Sequence, residues 1–125
     1  MKKILIVDDI EGWRNYHSEI LAKIFPDAKI ILADSAKVGY DKLLENTDKP
    51  FDIIISDLQM EKDYEPKYAG EWFVEQVKTF KAYQKTKIVI ISAAYNIHYI
   101  AEMLGVDCIS KTTARNFPDS YDFLR

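Results

Sequence analysis

The sequence predicts an α/β domain in which helices pack on both faces of a parallel sheet. Short apolar runs alternate along the chain with segments whose apolar residues recur every three or four positions. This alternation is typical of βα units, because a helix is needed to return the chain to the start of a parallel strand. Four of the runs also end at a residue with a carboxylate, hydroxyl or ammonium group. The 125 residues are enough for one such domain.

The first βα unit contains an acidic pair. The run ILIV predicts a strand that stops at Asp8 and Asp9, and a helix follows until Pro26 ends it. The apolar stripe of this helix consists of Trp13, Tyr16, Ile20, Leu21, Ile24 and Phe25. We interpret His17, on this helix, and His98, on a later one, as structural residues because they lack metal-ligand spacing.

The second βα unit leads into a third strand. The run AKIILA (28–33) predicts a strand, and Ser35 is expected to cap the helix after it. The residues of that helix expected to face inward are Val38, Leu43 and Leu44. After the turn-like NTDKP, the run FDIIIS (51–56) predicts a strand that is followed at once by Asp57.

The fourth strand ends at a serine. A helix is predicted from 69 to about 83, on the basis of Trp72, Phe73, Val77 and Phe80. The run KIVII (87–91) predicts a continuous apolar strand of the buried parallel kind, and Ser92 follows it.

The fifth strand ends at a lysine. Asn96 is expected to cap a helix that Gly105 closes, and 106–110 predicts a short strand before Lys111. Pro118 is placed to begin a last helix of about two turns. Such a shortened helix covers only part of the sheet, which leaves apolar surface that either binds a partner or pairs two copies of the chain.

Composition and charge exclude several classes of function. A net charge of −3 gives no basic surface for a nucleic-acid backbone, so direct DNA or RNA binding is not expected. The four glycines stand apart, so there is no glycine-rich loop to hold a nucleotide. The first apolar run is short, and the lone Cys108 cannot form an internal disulfide. We therefore expect a soluble cytoplasmic protein without a membrane partner.

The polar residues at the strand ends are expected to meet. The carboxyl ends of parallel strands lie along one edge of a sheet, where ligands of α/β proteins bind. Asp8, Asp9, Asp57, Ser92 and Lys111 should therefore share one pocket. Each residue alone has an ordinary interpretation, as a helix cap or a surface side chain. Their occurrence together at four strand ends favours a common site.

This combination of groups is suited to phosphoryl transfer. A carboxylate that attacks phosphorus forms an acyl phosphate, and Asp57 is the expected nucleophile. Three carboxylates in one pocket repel one another, and a divalent cation such as Mg²⁺ relieves the repulsion while it contacts phosphate oxygens. Lys111 can neutralise phosphoryl oxygens, and Ser92 can donate a hydrogen bond to them.

The motifs ILIVDD, DIIISDLQM, IVIISA and ISK resemble the receiver domain of bacterial two-component response regulators, and the resemblance covers the whole chain, 1–125. It implies a stand-alone, CheY-like receiver with a flavodoxin-like, doubly wound sheet of five strands in the order 2-1-3-4-5. Such a domain catalyses its own phosphoryl transfer but has no separate substrate. Its output is a changed surface for a downstream protein.

The resemblance also implies a role for each site residue. Asp57 receives the phosphoryl group from the phosphohistidine of a sensor histidine kinase or phosphotransfer protein. Asp9, Asp57 and the backbone carbonyl of Gln59 bind Mg²⁺, and Asp8 acts through water. Gln59 and Ala94 tune the rate at which water removes the phosphoryl group.

Three departures from the family pattern concern the switch and the loops beside it. Ser92 is the expected sensor of the phosphoryl group, but Cys108, a small thiol expected in the core, replaces the family's switch aromatic. Tyr95 or Tyr99 is a candidate substitute for that aromatic. The proline that follows the fifth-strand lysine in the family is absent. An insert, 61–68, lengthens the loop after the nucleophile, and it either docks a partner or is a solvated extension.

Two other functions fit the same residues. The loss of the switch aromatic and of the proline favours a degenerate receiver-like module that binds a partner without phosphorylation. The sequence also fits a receiver that belongs to a longer regulator with a DNA-binding or enzymatic output domain. Retention of all five polar site residues favours phosphorylation over the first alternative.

Overall fold

The computed structural model describes residues 1–60 and 68–125, and its strands and helices alternate as predicted. The strands are β1 (Lys3–Val7), β2 (Lys29–Ala33), β3 (Ile53–Ser56), β4 (Lys87–Ser92) and β5 (Asp107–Ser110). The α-helices are α1 (Glu11–Ile24), α2 (Ala36–Glu45), α3 (Ala69–Thr79), α4 (Ile97–Leu104) and α5 (Lys111–Asn116). Two 3₁₀ helices cover Lys81–Tyr83 and Pro118–Leu124, and we call the second one the C-terminal 3₁₀ helix. None of the helices in the described ranges is long and apolar enough to cross a membrane.

The sheet has the predicted topology. All five strands are parallel and lie in the order β2-β1-β3-β4-β5. Val7 pairs with Ser56, so β1 and β3 end at the same level, and Asp8 and Asp57 follow them there. Ser56 pairs with Ile90, and Ser92 pairs with Ser110, so β4 and β5 extend two residues further in the same direction. The polar residues that follow the strands therefore lie along one edge of the sheet.

The central strands β1, β3 and β4 are apolar because helices cover both of their faces. On one face, Leu5, Ile54 and Ile90 join a cluster with residues of α2, α3 and α4. On the other face, Ile6 and Ile55 pack with residues of α1, α5 and the C-terminal 3₁₀ helix. Burial of these side chains contributes about 25 cal/mol per Å² of apolar surface. The two buried faces of the sheet therefore hold the polar residues at its carboxyl edge in fixed positions.

Helix ends follow the predicted capping residues at two positions out of three. The Ser35 Oγ accepts a hydrogen bond from the Val38 N–H at 3.1 Å, and Gly105 ends α4 with a φ of 70°. Asn96 occupies the N-cap of α4, but its side chain makes no capping hydrogen bond. That part of the prediction is wrong because the Asn96 backbone, with φ −101° and ψ 25°, departs from the extended conformation of a typical N-cap.

Two further helix predictions need correction. The sequence predicts that Leu44 faces inward, but its side chain is 53% exposed. Its neighbour Leu43 faces the core, and one residue step turns the chain by about 100° around the helix axis. The third helix ends at Thr79 rather than near residue 83, because Phe80 has an extended backbone before the 3₁₀ helix Lys81–Tyr83.

The chain after β5 differs most from its prediction. The helix α5 starts directly at Lys111, where the Ser110 Oγ accepts a hydrogen bond from the Thr113 N–H at 3.1 Å. This helix has six residues and no apolar period, so the sequence pattern does not reveal it. The helix expected from Pro118 is a 3₁₀ helix, in which Tyr121 is buried. The segment after β5 is therefore short, as predicted, but it forms two short helices instead of one.

Candidate functional site

Three carboxylates meet at the carboxyl edge of the sheet. Asp8 and Asp9 follow β1, Asp57 follows β3, and ligand oxygens of all three lie within 4.8 Å of one another. Asp8 and Asp57 are buried, and Asp9 is half-buried. In the described part of the chain, no other group of three or more His, Cys, Asp or Glu side chains is gathered in this way. The edge therefore concentrates negative charge.

Lys111 neutralises part of this charge. Its Nζ lies 3.0 Å from Asp57 Oδ2 and 3.0 Å from Asp8 Oδ2, and the side chain is buried. The ammonium also lies 5.1 Å from the centroid of the Trp13 ring. A buried charge is tolerated only when it is paired, so the lysine and the two carboxylates stabilise one another.

The charge on Asp8 is opposed by its surroundings. Burial raises the pKa of Asp8 and the neighbouring Asp57 raises it further, whereas the Ile10 N–H and Lys111 lower it. The Ile10 N–H donates to Asp8 Oδ1 at 2.9 Å. The Arg14 guanidinium donates to the Asp8 backbone carbonyl at 2.7 Å and so ties this residue to α1. A cation bound beside Asp8 would favour its charged form.

The Asp57 carboxylate is held from two sides. Its Oδ1 accepts a hydrogen bond from the Leu58 N–H at 2.7 Å, and its Oδ2 accepts one from Lys111 at 3.0 Å. The Asp57 backbone is also fixed, since its N–H donates to the Val7 carbonyl at 2.9 Å. A nucleophile oriented in this way needs no large rearrangement before it attacks.

An open cleft of about 270 Å³ gives access to Asp57. Its lining includes Asp9, Trp13, Asp57, Gln59, Ala93 and Lys111. Since one water molecule takes about 30 Å³ in the liquid, a phosphoryl group and several waters fit in this volume. A larger depression of about 510 Å³ lies at the amino ends of β4 and β5 and contains none of the three clustered carboxylates.

Ser92 and the two alanines after it occupy different environments. Ser92 is fully buried at the end of β4, and its Oγ accepts a hydrogen bond from the Ala94 N–H at 3.2 Å. Ala93 lines the cleft, whereas Ala94 belongs to the apolar cluster under α2, α3 and α4. Of the two residues predicted to tune hydrolysis, Gln59 lines the cleft and Ala94 does not.

Cys108 differs from its predicted environment. The sequence predicts a core thiol, but β5 is an edge strand, so Cys108 is half-buried and its Sγ lies 3.3 Å from His98 Nδ1. Burial raises the pKa of Cys108, and the nearby Asp107 raises it further. Tyr95 and Tyr99, the candidate substitutes for the switch aromatic, are 93% and 65% exposed. Both tyrosine rings therefore face solvent.

His17 lies closer to the site than its interpretation as a structural residue implies. It is buried in α1, its Nδ1 lies 2.7 Å from the Tyr121 hydroxyl oxygen, and its Nε2 lies 3.9 Å from Asp8 Oδ2. Burial, with a smaller contribution from the charge of Lys111, lowers the pKa of His17 to about 3, so the ring is neutral. One feature of the sequence indicates that His17 is buried. His17 follows Trp13 by four residues, which places a polar ring within the apolar stripe.

The loop after Asp57 is closed by a backbone contact. The Gly70 N–H donates to the Leu58 carbonyl at 3.0 Å. A Cβ at Gly70 would lie 1.7 Å from the Asp57 carbonyl oxygen, so only glycine allows α3 to approach this closely. The predicted insert lies outside the described residues except for its last residue, Tyr68, which immediately precedes α3.

The donor set at this edge fits a hard divalent cation. Asp8, Asp9 and Asp57 offer only oxygen ligands. Mg²⁺ and similar ions are bound through one or two carboxylates together with waters, and the cleft beside the carboxylates leaves room for those waters. Thiolate and imidazole ligands, which suit zinc and copper, do not occur in this cluster.

Comparison with known proteins identifies relatives of the fold. No protein-family model matches the sequence, and a comparison with curated proteins finds no match. The receiver domain of a DNA-binding response regulator from Colwellia psychrerythraea 34H is 24% identical, with a TM-score of 0.72 over 90% of this chain and 87% of that one. The chemotaxis response regulator CheY4 of Vibrio cholerae is 24% identical, with a TM-score of 0.71 over 89% of this chain and 87% of that one. The Mn²⁺-bound form of the response regulator Rcp1 is 19% identical, with a TM-score of 0.72 over 99% of this chain and 89% of that one.

These similarities concern the architecture. The matched structures are response regulators or their receiver domains, and they cover most of both chains. The chain therefore has the flavodoxin-like receiver fold, with five parallel strands and helices on both faces. The predicted fold and strand order are confirmed, and the predicted resemblance to receiver domains is confirmed at the level of the fold.

Proposed function

We propose that residues 1–125 form a receiver domain of two-component signalling, which accepts a phosphoryl group on Asp57 with the help of Mg²⁺. The observation that carries this proposal is the environment of Asp57. One carboxylate oxygen is held by the Leu58 N–H at 2.7 Å, and the other by Lys111 at 3.0 Å. Asp8 and Asp9 lie beside it, and a cleft opens onto it. The receiver fold supports the assignment.

The proposed reaction transfers a phosphoryl group from a phosphohistidine to a carboxylate. An Asp57 oxygen attacks phosphorus, an O–P bond forms, and the P–N bond to the donor imidazole breaks. The electron pair of the broken bond leaves with the imidazole nitrogen. Lys111 supplies positive charge to the phosphoryl oxygens. The Ser92 hydroxyl, which accepts from the Ala94 N–H, keeps its own proton to donate to them.

Hydrolysis returns the domain to its starting state. A water attacks phosphorus, the O–P bond to Asp57 breaks, and inorganic phosphate and a proton leave. Gln59, exposed in the cleft, is the proposed residue that orients this water. The domain thus catalyses only its own phosphorylation and dephosphorylation.

The proposed metal ligands are Asp8, Asp9, Asp57 and the backbone carbonyl of Gln59, with Asp8 acting through water. When bound, Mg²⁺ offsets the negative charge of the carboxylates and of the phosphoryl oxygens. The acidic cluster and the Mn²⁺-bound form of Rcp1 support a divalent ion at this edge. Ligands that are all oxygen favour Mg²⁺ over softer metals.

The proposed partners are proteins of the cytoplasm. A sensor histidine kinase or a phosphotransfer protein is the donor, and a downstream protein or a second copy of the chain binds the changed surface. Ser92 is the proposed sensor. Cys108 occupies the switch position, and its Sγ contacts His98 Nδ1. Because it has no aromatic ring to rotate, phosphorylation must alter the surface near β5 by another route.

The deciding experiment is phosphorylation by a small-molecule phosphodonor with Mg²⁺, followed by measurement of the intact mass. The wild type is expected to gain one phosphoryl group, and Asp57→Asn is expected to gain none. Asp119→Asn, which changes an exposed aspartate outside the cluster, is the matched control and should be labelled like the wild type. Undiminished labelling of Asp57→Asn would disprove the nucleophile, and an unlabelled wild type would disprove the function.

The second candidate function is partner binding without phosphorylation. It is favoured by Cys108, which cannot swing between inward and outward positions as the family's aromatic ring does. A wild type that stays unlabelled, yet binds the same partner with and without the phosphodonor, would support this alternative.

A further inference from the structure

A buried hydrogen bond joins α1 to the C-terminal 3₁₀ helix. The Tyr121 hydroxyl lies 2.7 Å from His17 Nδ1, and both side chains are almost completely buried. The opposite ring nitrogen, Nε2, lies 3.9 Å from Asp8 Oδ2 and has no hydrogen-bond partner among the described residues. A series of contacts thus runs from Tyr121, near the end of the chain, through His17 to Asp8 at the acidic edge of the sheet.

The order of these groups determines which nitrogen of His17 carries the proton. A neutral imidazole has one N–H donor and one acceptor nitrogen. If Tyr121 donates to Nδ1, then Nε2 carries the proton and presents it toward the Asp8 carboxylate. The opposite tautomer would place the lone pair of Nε2 against a negatively charged oxygen, which is unfavourable. The geometry therefore favours the Nε2–H tautomer.

Packing alone does not account for His17. Burial of a polar ring costs free energy unless its nitrogens are hydrogen-bonded, and one of the two has no such partner here. An apolar side chain would fill the same position in α1 without this cost. The nitrogen without a partner lies nearest the Asp8 oxygen that the Ile10 N–H does not hold.

Lys111 is shared between two carboxylates, since its Nζ lies 3.0 Å from the Oδ2 of both Asp8 and Asp57. In the proposed function the Lys111 ammonium moves toward the phosphoryl oxygens on Asp57, because the phosphoryl group carries more negative charge than a carboxylate. Asp8 Oδ2 then loses its direct contact with the ammonium and keeps only the Mg²⁺-bound water of the proposed site. Because a carboxylate oxygen accepts about two hydrogen bonds, one acceptor position of this buried oxygen is opened, and His17 Nε2 is within about 1 Å of hydrogen-bond distance.

We infer that His17 is a positioning residue for Asp8: its Nε2–H donates to Asp8 Oδ2 when Lys111 engages the phosphoryl group, and Tyr121 holds the ring in the required orientation. The inference rests on the proposed function. The separation must close from 3.9 Å to a normal hydrogen-bond length of about 2.9 Å. Because His17 is bonded to Tyr121, the movement also reaches the C-terminal 3₁₀ helix.

The orientation of His17 can be tested without any phosphodonor. Long-range ¹H–¹⁵N correlation spectra report which imidazole nitrogen is protonated. We expect the Nε2–H tautomer in the wild type and a mixture of tautomers in Tyr121→Phe, which keeps the ring but removes the hydroxyl. An Nδ1–H tautomer in the wild type would overturn the inference, because Nε2 could not then donate to Asp8.

Beryllofluoride with Mg²⁺, a mimic of the phosphoryl group on a carboxylate, tests the response to phosphorylation. We expect the His17 Nε2–H resonance to move downfield and to exchange with water more slowly when the mimic binds. Tyr121→Phe should bind the mimic roughly two- to ten-fold more weakly, which is the effect of about one hydrogen bond. Tyr16→Phe is the matched control, since the Tyr16 hydroxyl lies near the same helices but donates to the Ala114 carbonyl at 2.6 Å. It should bind the mimic like the wild type.

The positioning role and the proposed function fail in distinguishable ways. If Asp57 is phosphorylated but the His17 resonance does not shift, or Tyr121→Phe binds the mimic with full affinity, the positioning role alone is overturned. An unlabelled wild type overturns the proposed function and the positioning role with it. His17→Gln, whose amide can still donate, should retain more affinity than His17→Leu. Equal losses in both variants would indicate packing instead.

Discussion

Lys111 Nζ and Asp57 Oδ2 lie 3.0 Å apart although the two residues are 54 positions apart in the chain. The contact joins the first residue of α5 to the residue that follows β3. Because β4 lies between β3 and β5, this ion pair forms only when that half of the sheet has assembled. Folding stability and the geometry of the proposed nucleophile are therefore coupled through one contact.

Replacement of Lys111 by methionine should lower both stability and phosphorylation. The variant leaves Asp8 and Asp57 buried without their cation, and we expect the free energy of unfolding to fall by about 3 kcal/mol. Urea unfolding followed by circular dichroism measures this change. Added Mg²⁺ should recover part of the loss, because a ligand that binds the native state stabilises it. A variant as stable as the wild type without Mg²⁺ would contradict the pairing.

Magnesium binding should depend more on Asp9 than on Asp8. Loss of a residue that acts through water typically weakens metal binding by about ten-fold. Loss of a direct ligand is expected to weaken it more. Trp13 lines the cleft and lies 5.1 Å from the Lys111 ammonium, so its fluorescence should respond to the bound ion. Titrations of Asp9→Ala and Asp8→Ala give the comparison. Wild-type affinity in Asp9→Ala would show that Asp9 is not a ligand.

Alanine at two glycine positions should have opposite effects on stability. A Cβ at Gly70 would lie 1.7 Å from the Asp57 carbonyl oxygen, so α3 must shift, and we expect a loss of about 2 kcal/mol. A Cβ at Gly12, in α1, would meet no described atom within 4 Å apart from its chain neighbours and the backbone of its own helix, and alanine there should stabilise the helix by roughly 0.5–1 kcal/mol. Urea unfolding distinguishes the two. Equal stabilities would contradict the close approach at Gly70.

Stability should fall at high pH because of Tyr83. Its buried hydroxyl donates to the Leu43 carbonyl at 2.6 Å, and burial raises the pKa of Tyr83 from 10.0 to about 12. Between these values the unfolded chain has lost the proton that the native state retains. The free energy of unfolding therefore decreases as pH rises through this range, by up to about 2 kcal/mol.

Urea unfolding of Tyr83→Phe over the same pH range checks this contribution. The variant should lose less stability with rising pH than the wild type. Burial also raises the pKa of Tyr121, so part of the slope should remain in the variant. An identical slope in both proteins would show that Tyr83 titrates at its ordinary value.

The phosphoryl group should persist longer in Gln59→Leu. The Gln59 side chain is exposed in the cleft, where its amide can orient a water, and leucine cannot do so. After removal of the phosphodonor, the intact mass followed over time gives the rate of decay. We expect this rate to fall several-fold, and an unchanged rate would show that Gln59 does not orient the water.

The sheet and its polar edge could be predicted because they depend on local patterns. A run such as ILIV or KIVII is typical of a buried parallel strand, and the residues that follow, such as Asp8 and Ser92, lie at the carboxyl edge for topological reasons. Ser35 and Gly105 were also predictable, because each acts within its own turn of helix.

The remaining features depend on contacts that are distant in the sequence. The hydrogen bond between His17 and Tyr121 joins residues 104 positions apart, so the pattern of α1 reveals a polar ring but not its partner. The half-buried position of Cys108 follows from the edge location of β5 and from its contact with His98. The short α5 depends on one capping residue, Ser110, rather than on a periodic apolar face.

The hydrogen bond between the Gly70 N–H and the Leu58 carbonyl fixes both ends of the loop that follows Asp57. In terms of chain entropy, such a loop costs little to lengthen, since each doubling of its length adds only about 0.6 kcal/mol to the closure cost. Changes of length between Met60 and Tyr68, which leave Gln59 in the cleft, should therefore keep Asp57 in place as long as Gly70 is retained. The loop can thus diverge in length and composition, or carry a reporter tag, without disturbing the carboxylate beside it.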